Sequence, residues 1–230
     1  MIHPEHQRRA YLQAMGIDVW LPRGTDEPEG SGDVAAEPLA AADLGWDELR
    51  ECVSNCTRCE LGESRTKTVF GIGNQSADWM IIGEAPGAEE DRRGEPFVGR
   101  AGKMLDEMLR AIGQGRDSVF IANILKCRPP DNRDPKPAEA AKCREYLERQ
   151  IALVQPKIIL AVGKIAAQNL TGSDDPLGGM RGRPHNLNGI PMVVTYHPAY
   201  LLRSPSQKRK SWSDLSLAVR LLAESSEDTA

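Results

Sequence analysis

The chain has 230 residues, 40% of them hydrophobic and 27% charged, with a formal net charge of −4. Those totals suit one sizeable domain with extras and are ordinary for a soluble globular protein. The longest apolar runs fall far short of the ~20 residues a membrane span needs. The first sixteen residues lack a signal peptide's apolar core, which points to the cytoplasm, where structural disulfides are rare.

The charge is unevenly spread. Residues 1–45 hold three basic and eight acidic side chains, so the acidity sits in an N-terminal arm and the remainder is nearly neutral. "PEHQRRAYLQAMGIDVW" predicts a short amphipathic helix with Tyr11, Leu12 and Met15 on one face and Gly16 as its stop. Residues 1–21 are taken as this docking helix. Residues 22–43, rich in Pro, Gly, Ala and acid, read as a flexible linker. The main domain is expected over 44–224, followed by a tail, 225–230.

Within the domain, strands alternate with helices. "DWMIIG" (78–83), "SVFIAN" (118–123), "KIILAVG" (157–163) and "IPMVVTYHP" (190–198) read as four buried strands. "GRAGKMLDEMLRAIG", "KPAEAAKCREYLERQIALV", "KIAAQNL" and "SWSDLSLAVRLLAES" read as helices between and after them. This alternation predicts an α/β fold, a three-layer α/β/α sandwich around a central, mostly parallel four-stranded sheet. Ligands of such folds bind at the carboxyl ends of the strands. "GEAPG", Asn123, "GK" and "YHP" all follow strand ends, so they are expected to line one cleft.

Five cysteines in a reduced compartment suggest metal ligation with one spare. Cys56 and Cys59 form a C-x-x-C pair, and Cys127 and Cys143 follow singly. Four thiolates suit either zinc or an iron–sulfur cluster, and one close pair with two dispersed ligands is closer to the cluster. Cys52 is the expected spare.

"GEAPG" (83–87) opens just after a strand, where Gly83, Pro86 and Gly87 allow a tight turn. It lacks the Lys-Ser/Thr of a P-loop, which excludes nucleotide triphosphate hydrolysis of that kind. Phe97, bracketed by Gly94 and Gly99, offers a ring to a flat ligand. Asn123 can give and receive hydrogen bonds in one plane, as reading a base edge requires. His197, before Pro198, is expected to point into the cleft. "LLRSPSQKRKSW" (201–212) holds four basic residues and no acid, a feature that matters if it lies beside a site.

The four cysteines, "GEAPG" with Phe97 thirteen residues after Glu84, "ANILKCRPP" and "HPAYLLRSP" together resemble a family 4 uracil-DNA glycosylase over roughly residues 46–222. The resemblance implies that fold and a monofunctional glycosylase that flips uracil out of single- or double-stranded DNA and hydrolyses its N-glycosidic bond. It implies a 4Fe-4S cluster on Cys56, Cys59, Cys127 and Cys143. Phe97 would stack on the base, Asn123 would read its N3–H and O4 edge, and Glu90 would exclude thymine's methyl group. His197 would donate to O2 as charge builds there. Ala85 stands roughly where better-known uracil glycosylases carry a water-activating aspartate, so Glu84, with backbone groups around Gly83, would position the water. Leu201 and Leu202 would wedge into the stack, and Arg128, Arg203 and Ser204 would contact phosphates. A non-catalytic iron–sulfur DNA-binding module attached to the replication machinery is the alternative. The arm's "LQAMGIDVW" is similar to the N-terminal peptide of the bacterial clamp-loader psi subunit, which implies docking through residues 5–21. A monomer is expected.

Overall fold

A computed structural model describes residues 41–227. The expected docking helix and most of the expected linker lie outside them. Ala41–Asp43, within the stretch expected to be linker, form a 3-10 turn whose Ala41 is buried in the core. Helix α1 (Trp46–Ser54) and the single turn α2 (Leu61–Ser64) precede the sheet.

Six strands follow: β1 (Ile72–Gly73), β2 (Trp79–Gly83), β3 (Val119–Asn123), β4 (Ile158–Val162), β5 (Pro184–Leu187) and β6 (Ile190–Thr195), in spatial order β1-β3-β2-β4-β6-β5. The four central strands are the four expected, and they are parallel. The two edge strands go beyond that expectation, and both pair antiparallel. Strand β1 is only two residues long. Strand β5 starts at Pro184, which has no N–H for a ladder and is tolerated at an edge. It returns into β6 through Asn188 and Gly189, both at positive φ (51° and 92°), the conformation a tight hairpin needs.

Strands β2, β3 and β4 are buried at every position, as parallel strands covered on both faces must be. Alternation sorts their side chains into two cores. Met80, Ile82, Phe120, Ala122, Ile159 and Ala161 pack with Leu49 and Val53 of α1. The same core takes Tyr146 and Leu147 of α5 (Pro137–Val154) and Ala166 and Ala167 of α6 (Lys164–Thr171). Trp79, Ile81, Val119, Ile121, Ile158 and Leu160 pack on the other face against Leu105 and Leu109 of α4 (Arg100–Ala111). Leu215 of α9 (Lys208–Glu227) joins them. The result is the expected three layers. Helix α9 also runs three residues into the stretch expected to be tail.

Register positions the chemistry. Gly83 and Asn123 are direct partners at the carboxyl ends of β2 and β3. The loop after Gly83 enters α3 (Ala88–Arg93), and the turn after β6 enters α8 (Pro198–Arg203) with His197 as its N-cap.

Candidate active site

The strand ends converge on a cleft of about 450 Å³ lined by Glu84, Ala85, Phe97, Asn123 and His197, with Glu90, Ala101, Asn132 and Arg203. Asn123 and Phe97 close in on the end of β2 because Gly83 has no side chain. A Cβ there would sit 2.4 Å from Asn123 Oδ1 and 2.6 Å from Phe97 Cζ, closer than real carbon contacts allow. Gly83 therefore contributes room rather than a contact.

Asn123 is buried, and its Oδ1 has no hydrogen-bond partner among the described residues. A buried unpaired acceptor is costly, which marks it as a group awaiting a donor. Behind it, the backbone carbonyl of Asn123 accepts from Lys126 Nζ at 2.9 Å.

Phe97 stands at φ 54°, a left-handed conformation that is rare for an aromatic residue. Arg116 holds it there, donating to the carbonyls of Pro96 (3.2 Å) and Phe97 while its Nε binds Asp106 at 2.7 Å. Gly102 is obligatory beneath this turn, since a Cβ would fall 1.7 Å from the Phe97 carbonyl oxygen.

Glu90 lines the cleft, but its carboxylate is engaged. Oε2 accepts from Gly87 N (3.1 Å), and Oε1 accepts from Val98 N (2.9 Å) and Gly99 N (3.0 Å). It thereby ties the start of α3 to the segment that carries Phe97.

His197 accepts at Nδ1 from the Ala199 N–H at 3.2 Å, which leaves the ring proton on Nε2. Burial, helped by the nearby Arg203 charge, lowers its pKa to about 4, against a smaller opposing effect of Glu90. The imidazole is neutral at ordinary pH. Gly163 packs beneath it; a Cβ there would lie 3.0 Å from His197 Cβ. So the "GK" turn enters through His197 rather than through the cavity lining. Glu84 moves the other way. Burial, with a contribution from Asp134, raises its pKa to about 7.

Leu201 is a correction. It is fully buried among the core residues beside α4 and α9, so it cannot enter a DNA stack. Leu202, one helical step on, is 38% exposed and remains free to do so. Arg203 is exposed and lines the cleft, and Ser204 caps α8 half-buried. The Nε of Arg128 donates to Asn132 Oδ1 at 2.8 Å, so Arg128 reaches the cleft through Asn132. Asn132 sits in the turn-forming "PPDN", where Asp131 and Asn132 stand at positive φ.

All four expected cysteine ligands line one small cavity under α5. Arg65 Nη1 donates to Cys127 Sγ at 3.3 Å, and the Lys126 N–H donates to Cys143 Sγ at 3.4 Å. Cys52 lies apart from this lining, with its thiol 3.8 Å from the Tyr146 hydroxyl. Among the described residues no three His, Cys, Asp or Glu side chains are grouped closely enough to hold a single metal ion. Four convergent sulfurs with N–H donors on two of them fit a larger sulfur-ligated group.

His185 binds the Met180 carbonyl through Nε2 at 2.5 Å, a structural bond within the hairpin layer. Among the described residues no helix is long and apolar enough to cross a membrane.

The sequence profile of the uracil DNA glycosylase superfamily matches residues 70–216. A type-4 uracil-DNA glycosylase of Archaeoglobus fulgidus is 42% identical over 176 residues, which cover 73% of this chain and 88% of that protein. A Thermotoga maritima protein of the same name is 44% identical over 168 residues, covering 70% and 88%. One from Pyrobaculum aerophilum is 40% identical over 182 residues, covering 76% and 93%.

Proposed function

This chain belongs to the type-4 uracil-DNA glycosylases of the uracil DNA glycosylase superfamily, and on that premise we propose how its own residues remove uracil from DNA. The enzyme is a hydrolase of N-glycosyl bonds that opens base excision repair.

The observation that carries the assignment of roles is the unpaired Oδ1 of Asn123 in a buried cleft. The target base must leave the stack to be reached, at a few kcal/mol. Once flipped, uracil presents N3–H to Asn123 Oδ1 and O4 to Asn123 Nδ2. Cytosine presents an acceptor at N3 and a donor at N4, so it would leave both Asn123 groups unmatched. Phe97 supplies the stacking face. Glu90 acts by holding the Phe97 segment in place, and so shapes the wall against thymine's methyl group at one remove.

Cleavage breaks the C1′–N1 bond and leaves its electron pair on the base. Negative charge accumulates at O2, where the Nε2–H of neutral His197 donates. A neutral donor suits this task, because it stabilises the anion without first protonating the base. The sugar cation is then captured by water at C1′. Glu84, beside Ala85, orients that water, and as a carboxylate it stabilises the cation and takes the water's proton. Leu202 fills the vacated space in the stack, while Arg203, Ser204 and Arg128 contact the backbone.

Cys56, Cys59, Cys127 and Cys143 would hold a 4Fe-4S cluster, which when bound supplies a cross-link among three chain segments. Arg65 and the Lys126 N–H would stabilise its sulfurs. The N-terminal arm, residues 5–21, docks the enzyme on the replicative clamp loader. That reading is supported by its short resemblance to the psi-subunit peptide.

The test is excision from a labelled strand holding one uracil, followed by alkali, against thymine and cytosine controls. Uracil-only cleavage after alkali is expected, and DNA that is bound but uncut would sink this assignment of roles. Removing residues 1–38, which spares buried Ala41, is expected to abolish clamp-loader binding and leave excision on short DNA unchanged.

A further inference from the structure

Lys126 is fully buried, yet among the described residues no carboxylate bonds its ammonium. Its Nζ donates to the Asn123 carbonyl at 2.9 Å and to Gln150 Oε1 at 2.6 Å. Gln150 is itself fixed, since its Nε2 donates to the Phe70 carbonyl at 2.8 Å. An unpaired buried ammonium is costly in an apolar core. Lys126 lines the same small cavity as Cys127 and Cys143, whose sulfurs belong to the four-cysteine centre.

The backbone of the same segment runs as a ladder from the cleft to those sulfurs. Ile124 N–H donates to the Gly83 carbonyl (2.9 Å) and Leu125 N–H to the Glu84 carbonyl (3.1 Å). Lys126 N–H then donates to Cys143 Sγ (3.4 Å). The Lys126 carbonyl is occupied as well, accepting from Val69 N at 2.8 Å. Three successive residues therefore fasten the base-reading strand end on one side and a cysteine ligand on the other.

We infer that Lys126 is a positioning residue for base reading: its buried ammonium grips Asn123 from behind and couples that residue's placement to the four-cysteine centre. Lys126 touches neither base nor sugar. It acts through Asn123, so the inference rests on Asn123 reading uracil. The coupling runs both ways. One residue holds both ends, its N–H on Cys143 Sγ and its Nζ on the Asn123 carbonyl, so displacing either end displaces the other.

The test uses the purified full-length enzyme with its centre loaded, at a temperature well below melting. Affinity is measured for DNA carrying an uncleavable 2′-fluoro deoxyuridine and for matched DNA carrying thymine. Lys126→Met is expected to lose about tenfold of the preference for the uracil analogue, with thymine-DNA affinity unchanged. The reduction potential of its centre is expected to become more negative, because a neighbouring positive charge is gone. A role confined to core stability would lower the melting temperature and leave both readouts where they were, and that result would overturn the inference. If Lys126→Met does not fold, Gln150→Leu decides the matter: about a threefold loss of preference is expected, and an unchanged preference overturns it. Asn123→Ala separates the two levels. If it loses the preference while Lys126→Met keeps it, only the coupling fails. If Asn123→Ala keeps the preference, the base-reading assignment fails and the coupling with it.

Discussion

The rings of Phe97 and His197 lie 5.8 Å apart, centroid to centroid, with their planes 30° from parallel. They come from distant parts of the sequence, one at positive φ between α3 and α4 and the other at the cap of α8. Their proximity sets one wall of the cleft, with a face for the base from Phe97 and a donor at its edge from His197. Replacing His197 by Ala removes the donor and is expected to lower kcat about a hundredfold, with a smaller change in KM. Single-turnover excision measures it.

His197 also predicts a pH signature. Its folded pKa of about 4 lies below the ordinary 6.5. The stability it contributes is therefore complete above about 6.5 and is lost as pH falls toward 4, where the unfolded chain takes up the proton first. Melting curves of the wild type and His197→Ala should converge as pH falls through that window. His197 should contribute no limb to the activity profile near neutrality.

That limb belongs to Glu84, whose pKa is raised to about 7. If its carboxylate orients water, kcat/KM rises with pH and levels off above about 7. Glu84→Gln should lose most of the activity and flatten the profile together. The stability sign is opposite to that of His197. A raised carboxyl pKa means the folded state holds its proton more tightly, so stability falls as pH rises from 4.5 to about 7. Glu84→Gln should thus melt higher than wild type at a pH above that window and equally at a pH below it.

Gly83→Ala tests the geometry of base reading without removing any polar group. The added Cβ would press on Asn123 Oδ1 and the Phe97 ring at 2.4 and 2.6 Å, so one or both must shift. A displacement near 1 Å typically costs about a hundredfold in rate. The expected result is that loss in kcat/KM on uracil, with affinity for uracil-free DNA unchanged.

The central sheet was legible because its strands are unbroken apolar runs ending in chemistry-bearing residues. The same logic exposed Glu84, Asn123 and His197 at strand ends, whereas Phe97, between α3 and α4, stood out by its flanking glycines. Strand β5 escaped because its Pro184 and polar positions suggest a loop, although the Asn188–Gly189 pair that turns it into β6 is a hairpin signal. Glu90 looked like a wall against the base, but the fold brings three backbone N–H groups onto its carboxylate. Nothing in "ILKC" distinguishes a buried lysine from a surface one, because the partners of Lys126 come from the sheet end and from a helix twenty-four residues away.

Adjacent leucines gave the sharpest divergence between pattern and structure. Leu201 and Leu202 looked equivalent as wedges, but successive helical positions differ by about 100° and face different surroundings. Leu201 is fully buried and Leu202 is 38% exposed. Leu201→Ala should leave a cavity and cost about 2–5 kcal/mol, read as a lower denaturation midpoint. Leu202→Ala should leave stability within about 0.5 kcal/mol. Its effect should appear in excision from duplex DNA, where the flipped base leaves a gap in the stack. Excision from a single strand, which has less stacking to replace, should change little. Equal losses on both substrates would remove Leu202 from the role of wedge and leave Arg203 beside it as the contact that matters.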